Sequence, residues 1–193
     1  MNRKTRLAVA VAAMVASAAV AFADGAGGLL FGMVKPEFNP SFFPEAQMPI
    51  DLEYIGGYGY GVSRQGNIVG GFGLAFLDST LMSGDIGSED HLAGGVGGMV
   101  MGWRLGSEPF IHVDVAARLG LGGVGAHTSS GWKGYAIAYA EPYAEVGIGL
   151  TPWMHLSATL GYQIIGNFVP GLAFTDLLLR SPTLGMTVTW GRF

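Results

Sequence analysis

From residue 28 onward, large apolar residues recur at every second position, a period of two that belongs to β-strands and not to helices. The plainest case is "FIHVDVAARLGLG", Phe110 to Gly122. There Ile111, Val113, Val115, Ala117, Leu119 and Leu121 form one unbroken apolar face, while His112, Asp114 and Arg118 lie on the other. "MHLSATLGYQII" sets Met154, Leu156, Ala158, Leu160, Tyr162 and Ile164 against His155, Ser157, Thr159 and Gln163. "YAEPYAEVGIGL" sets Ala144, Val146, Ile148 and Leu150 against Tyr143, Glu145, Gly147 and Gly149. "LAGGVGGMVMGWRL" sets Met99, Met101, Trp103 and Leu105 against Gly98, Val100, Gly102 and Arg104.

Four further segments complete the series: Gly28 to Lys35, Ile50 to Val62, Ile68 to Leu77 and Thr183 to Phe193. In the second and third, size alternates instead of polarity. Leu52, Tyr54, Tyr58, Tyr60 and Val62 oppose glycines with Glu53 and Ile55, and Ile68, Phe72, Leu74 and Phe76 oppose small residues. The pattern thus predicts about eight strands.

The predicted connections alternate in length. Ser63–Asn67, Gly106–Pro109 and Thr151–Pro152 are short, whereas 36–49, 78–91, 123–132 and 166–182 are long. Short turns at one end and long loops at the other predict an all-β, eight-stranded antiparallel up-and-down barrel, with both termini at the tight-turn end. Pro142 cannot donate to a ladder. A bulge at Glu141–Pro142 is therefore expected, one that turns Tyr135, Ile137 and Tyr139 outward above it.

Composition then decides what surrounds the barrel. Gly makes up 33 of 193 residues, half the chain is apolar and only 12 % is charged. No segment after the N-terminal leader offers the roughly 18 apolar residues of a membrane helix. A soluble barrel must show charge outward, but here the charged positions share a face with glycine and alanine, which suits a narrow interior. The bulky apolar face is thus expected to meet lipid, where Arg or Lys at mid-depth costs ~2–4 kcal/mol. Tyr60, Trp103, Phe110, Trp153, Trp190 and Phe193 fall at the tight-turn end, and Tyr54, Phe76, Trp132 and Tyr135 toward the other, as two interfacial girdles would require.

The N-terminus carries Arg3, Lys4 and Arg6, an Ala/Val-rich run, and Ala21-Phe22-Ala23 before Asp24. This is the pattern of a secretory signal peptide, residues 1–23, leaving 24–193 as a single barrel domain. Cleavage there removes three of ten basic residues and none of fourteen acidic ones, so the remaining charge is 7 − 14 = −7. That balance argues against nucleic acid as a partner. With no cysteine there is neither disulfide nor thiolate chemistry.

The signal peptide, the alternation of three short and four long connections, and a final strand ending at Phe193 together resemble the small eight-stranded outer-membrane β-barrels of the OmpA transmembrane domain, OmpX and OmpW families. The resemblance covers the whole chain after the leader. It implies an outer-membrane location, membrane lipid as surroundings, the barrel-assembly machinery as reader of the terminal aromatic strand, and long loops open to an extracellular ligand. Leu184, Met186, Val188 and Trp190 share a phase opposite to Phe193, and a bulge at Gly191 would restore it.

The candidate chemistry lies on the polar face: Arg104, His112, Asp114, Arg118, Glu141, Glu145 and His155, with Ser157, Thr159 and Gln163. Arg118 and Glu141 stand at similar heights on neighbouring strands, so an interior ion pair is expected, as a plug or as a gate for small solutes. A structural or surface-interaction role is the leading expectation and a narrow conduit the alternative. His155-x-Ser157 is similar to the His-x-Ser of outer-membrane lipid A deacylases. It points inward, however, and no Glu follows it, so no catalytic residue is expected. His91 with Asp85, Glu89 and Asp90 reads as solvated loop polarity, and neither a metal nor a cofactor is expected.

Overall fold

The computed structural model describes residues 25–35, 37–38, 52–78, 91–106, 110–128, 131–167 and 177–191. Residues 1–24, most of the expected long loops and Phe193 lie outside these. Eight long strands form the wall: β1 (Gly25–Val34), β3 (Leu52–Val62), β4 (Asn67–Asp78), β5 (His91–Leu105), β6 (Ile111–Thr128), β7 (Gly131–Thr151), β8 (Met154–Asn167) and β9 (Leu177–Gly191). Each pairs antiparallel with its neighbour in sequence, and β1 pairs with β9 to close the cylinder. The two-residue β2 (Glu37–Phe38) continues the β1 ladder against β9 in the same register, beyond an interruption at Pro36.

The registers define the barrel's shear. Stepping across the strands from Gly28 passes Tyr58, Phe72, Gly98, Gly120, Tyr139, Ile165 and Leu179 and returns at Phe38, so the stagger is 38 − 28 = 10 residues. With eight strands, that stagger tilts them about 40° from the axis and leaves an interior that side chains can fill.

Local chemistry explains the tight turns. Between β3 and β4 the Ser63 hydroxyl accepts hydrogen bonds from the Gln65 and Asn67 amides, and Gly66 takes a φ of 82° that other residues avoid. Gly106, after β5, sits at φ 90°.

Four expectations need correction. The connection expected over 123–132 is mostly strand, since β6 runs to Thr128 and β7 resumes at Gly131. Likewise β8 extends to Asn167 and β9 begins at Leu177, inside the loop expected over 166–182. Glycine and alanine carry β6 and β7 onward, so the apolar alternation fades there, and in β9 Arg180, Ser181 and Pro182 interrupt it.

There is no bulge at Pro142. Arg118 faces Glu141 and Ala117 faces Pro142 in unbroken register. On the β8 side Ala140 faces Ile164 and Tyr143 faces Gly161, so two ladder pairs lapse without any slip. The wall tolerates the missing donor by forgoing local bonds. Irregularities occur instead at Gly149/Thr151 and at Ile165/Gly166.

On β3 and β4 the large side chains point inward, reversing the expected phase. Tyr54, Tyr58, Tyr60, Phe72, Leu74 and Phe76 are buried in the barrel, and so is Tyr139. Tyr60 is therefore not an interfacial aromatic, and Tyr54, Phe76 and Tyr135 do not form an upper girdle. The cause is volume: inward positions such as Gly120 on β6 carry no side chain, and rings from the opposite strands fill that space, Phe72 reaching to where a Gly120 Cβ would lie.

At Gly191 the β1–β9 register continues unbroken to Ala26, with the Gly191 amide bonded to the Trp153 carbonyl. No bulge is present as far as that residue. The phase of Phe193 lies outside the described residues.

Candidate functional site

The exterior comes first, because it settles which groups are inside. Met99, Val115, Leu119, Val146, Leu160 and Met186 are among many large apolar side chains exposed on the wall. Trp103, Phe110, Trp153 and Trp190 also face outward, all near the tight-turn end. Such a wall suits a lipid surround and no aqueous one.

Inside, the polar residues follow from strand parity. Even positions of β6 and odd positions of β7, β8 and β9 point inward, so the registers Arg118–Glu141, Asp114–Glu145 and Glu145–Thr159 set charged and hydroxyl groups side by side. His112, Asp114, Arg118, Glu141, Glu145 and His155 are all buried, and Arg104 is nearly so. The interior thus has two halves, aromatic on β3 and β4 and polar on β6 to β9.

The polar half forms two storeys. In the upper one, Arg118 Nη1 donates to Glu141 Oε2 at 2.7 Å, Tyr139 OH donates to the same oxygen at 2.7 Å, and Thr183 Oγ1 donates to Oε1 at 2.7 Å. Both Arg118 and Glu141 have 0 % exposure, so water does not screen the pair. The guanidinium also lies 4.0 Å from the centre of the Tyr143 ring, a cation–π contact that joins the storeys.

In the lower storey Arg104 grips Asp114 bidentately, Nε to Oδ1 and Nη2 to Oδ2 each at 2.9 Å, and donates to Tyr60 OH at 3.2 Å. Tyr60 stacks on Tyr58 with ring centroids 5.3 Å apart. His112 and His155 stack at 5.1 Å, with their Nδ1 atoms 3.3 Å apart. Glu145 accepts from Thr159 Oγ1 at 3.2 Å. Gly147 makes this crowding possible, because a Cβ there would strike the His112 ring and Ser157 Oγ.

His155 and Ser157 are not joined by a hydrogen bond. Ser157 Oγ is buried without a hydrogen-bond partner, and the His155 Nδ1 atom is directed at His112. A Ser–His nucleophile is therefore not assembled, and both groups face away from lipid. His91 opens β5 opposite His127, while Asp85, Glu89 and Asp90 lie outside the described residues.

The sequence reading missed Tyr139, Tyr143 and Thr183, and with them the hydroxyls of Thr187 and Thr189. The threonines were legible, since Thr183, Thr187 and Thr189 alternate with Leu184, Met186 and Val188. Tyr143 was legible in phase, on the polar face beside Glu145, but Tyr139 was not, because a tyrosine is equally at home at a lipid interface and in a filled lumen.

In comparisons with known proteins, no family model and no curated protein sequence matches the chain. Among solved structures it is similar to Neisserial surface protein A, with a TM-score of 0.63 and 11 % identity, over 86 % of this chain and 96 % of that one. It also aligns with Ail, the attachment invasion locus protein of Yersinia pestis, at a TM-score of 0.49 and 10 % identity, over 86 % and 99 %. For the outer membrane protease OmpT from Escherichia coli the TM-score is 0.35 and the identity 10 %, over 88 % and 97 %. The match to Neisserial surface protein A, together with the closed cylinder of eight antiparallel strands, gives the chain the fold of a small outer-membrane β-barrel.

Proposed function

We propose that this chain is a non-enzymatic outer-membrane barrel that works by structure and surface interaction, presenting its long-loop end to the outside of the cell. The observation that supports the reading is the contrast between a lumen packed with buried side chains and an over-long wall. A tilted strand needs about 9–11 residues to cross a membrane. β6 and β7 have 18 and 21. Their surplus of roughly 7–12 residues, at about 2.5 Å of height each, raises a two-stranded rib roughly 18–30 Å beyond the bilayer.

That rib and the loops around it supply surface for a partner, while the Arg118–Glu141 pair and the aromatic half leave no open path. In planar bilayers the purified barrel is expected to give no discrete conductance steps. Regular unitary openings would refute the reading and favour a conduit. The conduit has one observation on its side, the buried polar atoms of Gln163, Thr187 and Thr189 that lack hydrogen-bond partners and suit internal water.

A further inference from the structure

We propose that the lower storey of the lumen is a binding site for one divalent transition-metal ion, Zn2+ above all, with His112, Asp114 and Glu145 as its protein ligands. These three side chains are buried, and their donor atoms lie within 4.8 Å of one another. His112 Nε2 stands 3.8 Å from Asp114 Oδ2 and 3.9 Å from Glu145 Oε1. Such separations are too long for hydrogen bonds. They are close to the roughly 3.3–3.6 Å that separates ligand atoms on a tetrahedral ion with bonds of about 2.0–2.2 Å, so small side-chain rotations would close the set.

Three further observations point to a cation. First, among the described lumen residues three carboxylates, Asp114, Glu141 and Glu145, face two guanidinium groups, Arg104 and Arg118. Glu141 is bonded to Arg118 and Asp114 to Arg104, so Glu145 has no guanidinium bonded to it and His112 as its nearest ion-pair partner, at 3.9 Å. Second, Ser157 Oγ, buried at 2 % exposure and without a hydrogen-bond partner, converges with His112 over the side-chain-free Gly147. Thr187 sits opposite Ser157 in the β8–β9 ladder, and its hydroxyl is likewise unpartnered. These hydroxyls are placed to hold water on the open side of an ion.

Third, the surroundings orient the ligands as metal sites require. With the proton on His112 Nδ1 directed at His155 Nδ1, the Nε2 lone pair turns toward the two carboxylates. Arg104 fixes Asp114 through both oxygens, so a metal bond would use the second lone pair of Oδ2. An imidazole with two carboxylates and an open position suits Zn2+ better than Ca2+ or Mg2+, which prefer oxygen alone. The storey lies near the tight-turn end, since His112 and His155 are each the second residue of their strands.

The test uses the full mature chain without a histidine tag, folded in detergent and stripped with a chelator. Titration with Zn2+, followed by calorimetry and by metal analysis after gel filtration, is expected to give one retained ion per chain and a higher unfolding temperature. H112Q and E145Q, checked for folding by heat-dependent mobility in SDS, are expected to bind at least about 10-fold more weakly. H91A/H127A is expected to bind as the parent does. Absence of stoichiometric retention would overturn the proposal, as would unchanged affinity in both lumen variants or loss of binding in H91A/H127A. Should the lumen variants not fold, X-ray absorption of the Zn2+-loaded parent decides: a nitrogen/oxygen shell containing imidazole supports the site, and a shell of water oxygens alone refutes it.

Discussion

The residue that most constrains the interior is Glu141, whose two oxygens accept three hydrogen bonds at zero exposure. Truncating its cationic partner would leave a buried, uncompensated carboxylate, the costly half of a broken ion pair. Arg118→Ala is therefore expected to lower the unfolding free energy by about 3–5 kcal/mol, read from urea unfolding in lipid vesicles. Replacing both charges with apolar residues of similar size, Arg118→Met with Glu141→Leu, should cost less than Arg118→Ala alone. A double variant no more stable than the single one would count against desolvation as the cause. Gly147 constrains by what it lacks. In Gly147→Ala the added methyl would meet the His112 ring and Ser157, so a loss of about 1–3 kcal/mol is expected in the same unfolding assay.

At the level of strands, β6 was legible in phase from Ile111 to Leu121, because its polarity alternates cleanly there and His112, Asp114 and Arg118 could point only one way, but its run on to Thr128 was not. β3 and β4 were legible as strands but not in phase. Their two faces differ in size, tyrosine or phenylalanine against glycine, and both are acceptable to lipid. What decides between them is how much volume β6 to β9 leave unfilled, a property of the closed barrel that no single segment carries. Pro142 misled for a related reason, since a long wall absorbs two lapsed ladder pairs more easily than a register slip. The observed phase makes a testable contrast on β4. Phe72 is buried, so Phe72→Ala should cost about 3–5 kcal/mol. A Cβ added at its neighbour Gly73 meets no atom within 4 Å, so Gly73→Ala should stay within about 0.5 kcal/mol of the parent. The reverse ranking in unfolding measurements would restore the opposite phase.

For the whole molecule, the stagger of ten residues and the uneven strand lengths combine into a directional object. One end is trimmed to turns such as Ser63–Gly66, and the other rises along β6 and β7. A transmembrane barrel keeps its short turns on the periplasmic side and its longer loops outside. The lower storey, with His112 and His155, would therefore open toward the periplasm, and the raised rib toward the exterior. Because the chain has no cysteine, single reporters can read this orientation without background. Ser83→Cys, in the segment between β4 and β5, is expected to react with a membrane-impermeant maleimide on intact cells. Gln65→Cys, in the turn between β3 and β4, is expected to react only after the outer membrane is breached. Both variants should keep their heat-dependent mobility, since the turn residue is exposed and its partner Ser63 is retained. Labelling of Gln65→Cys on intact cells with Ser83→Cys protected would invert the barrel. It would thereby remove the rib from the surface and the basis for a role in surface interaction.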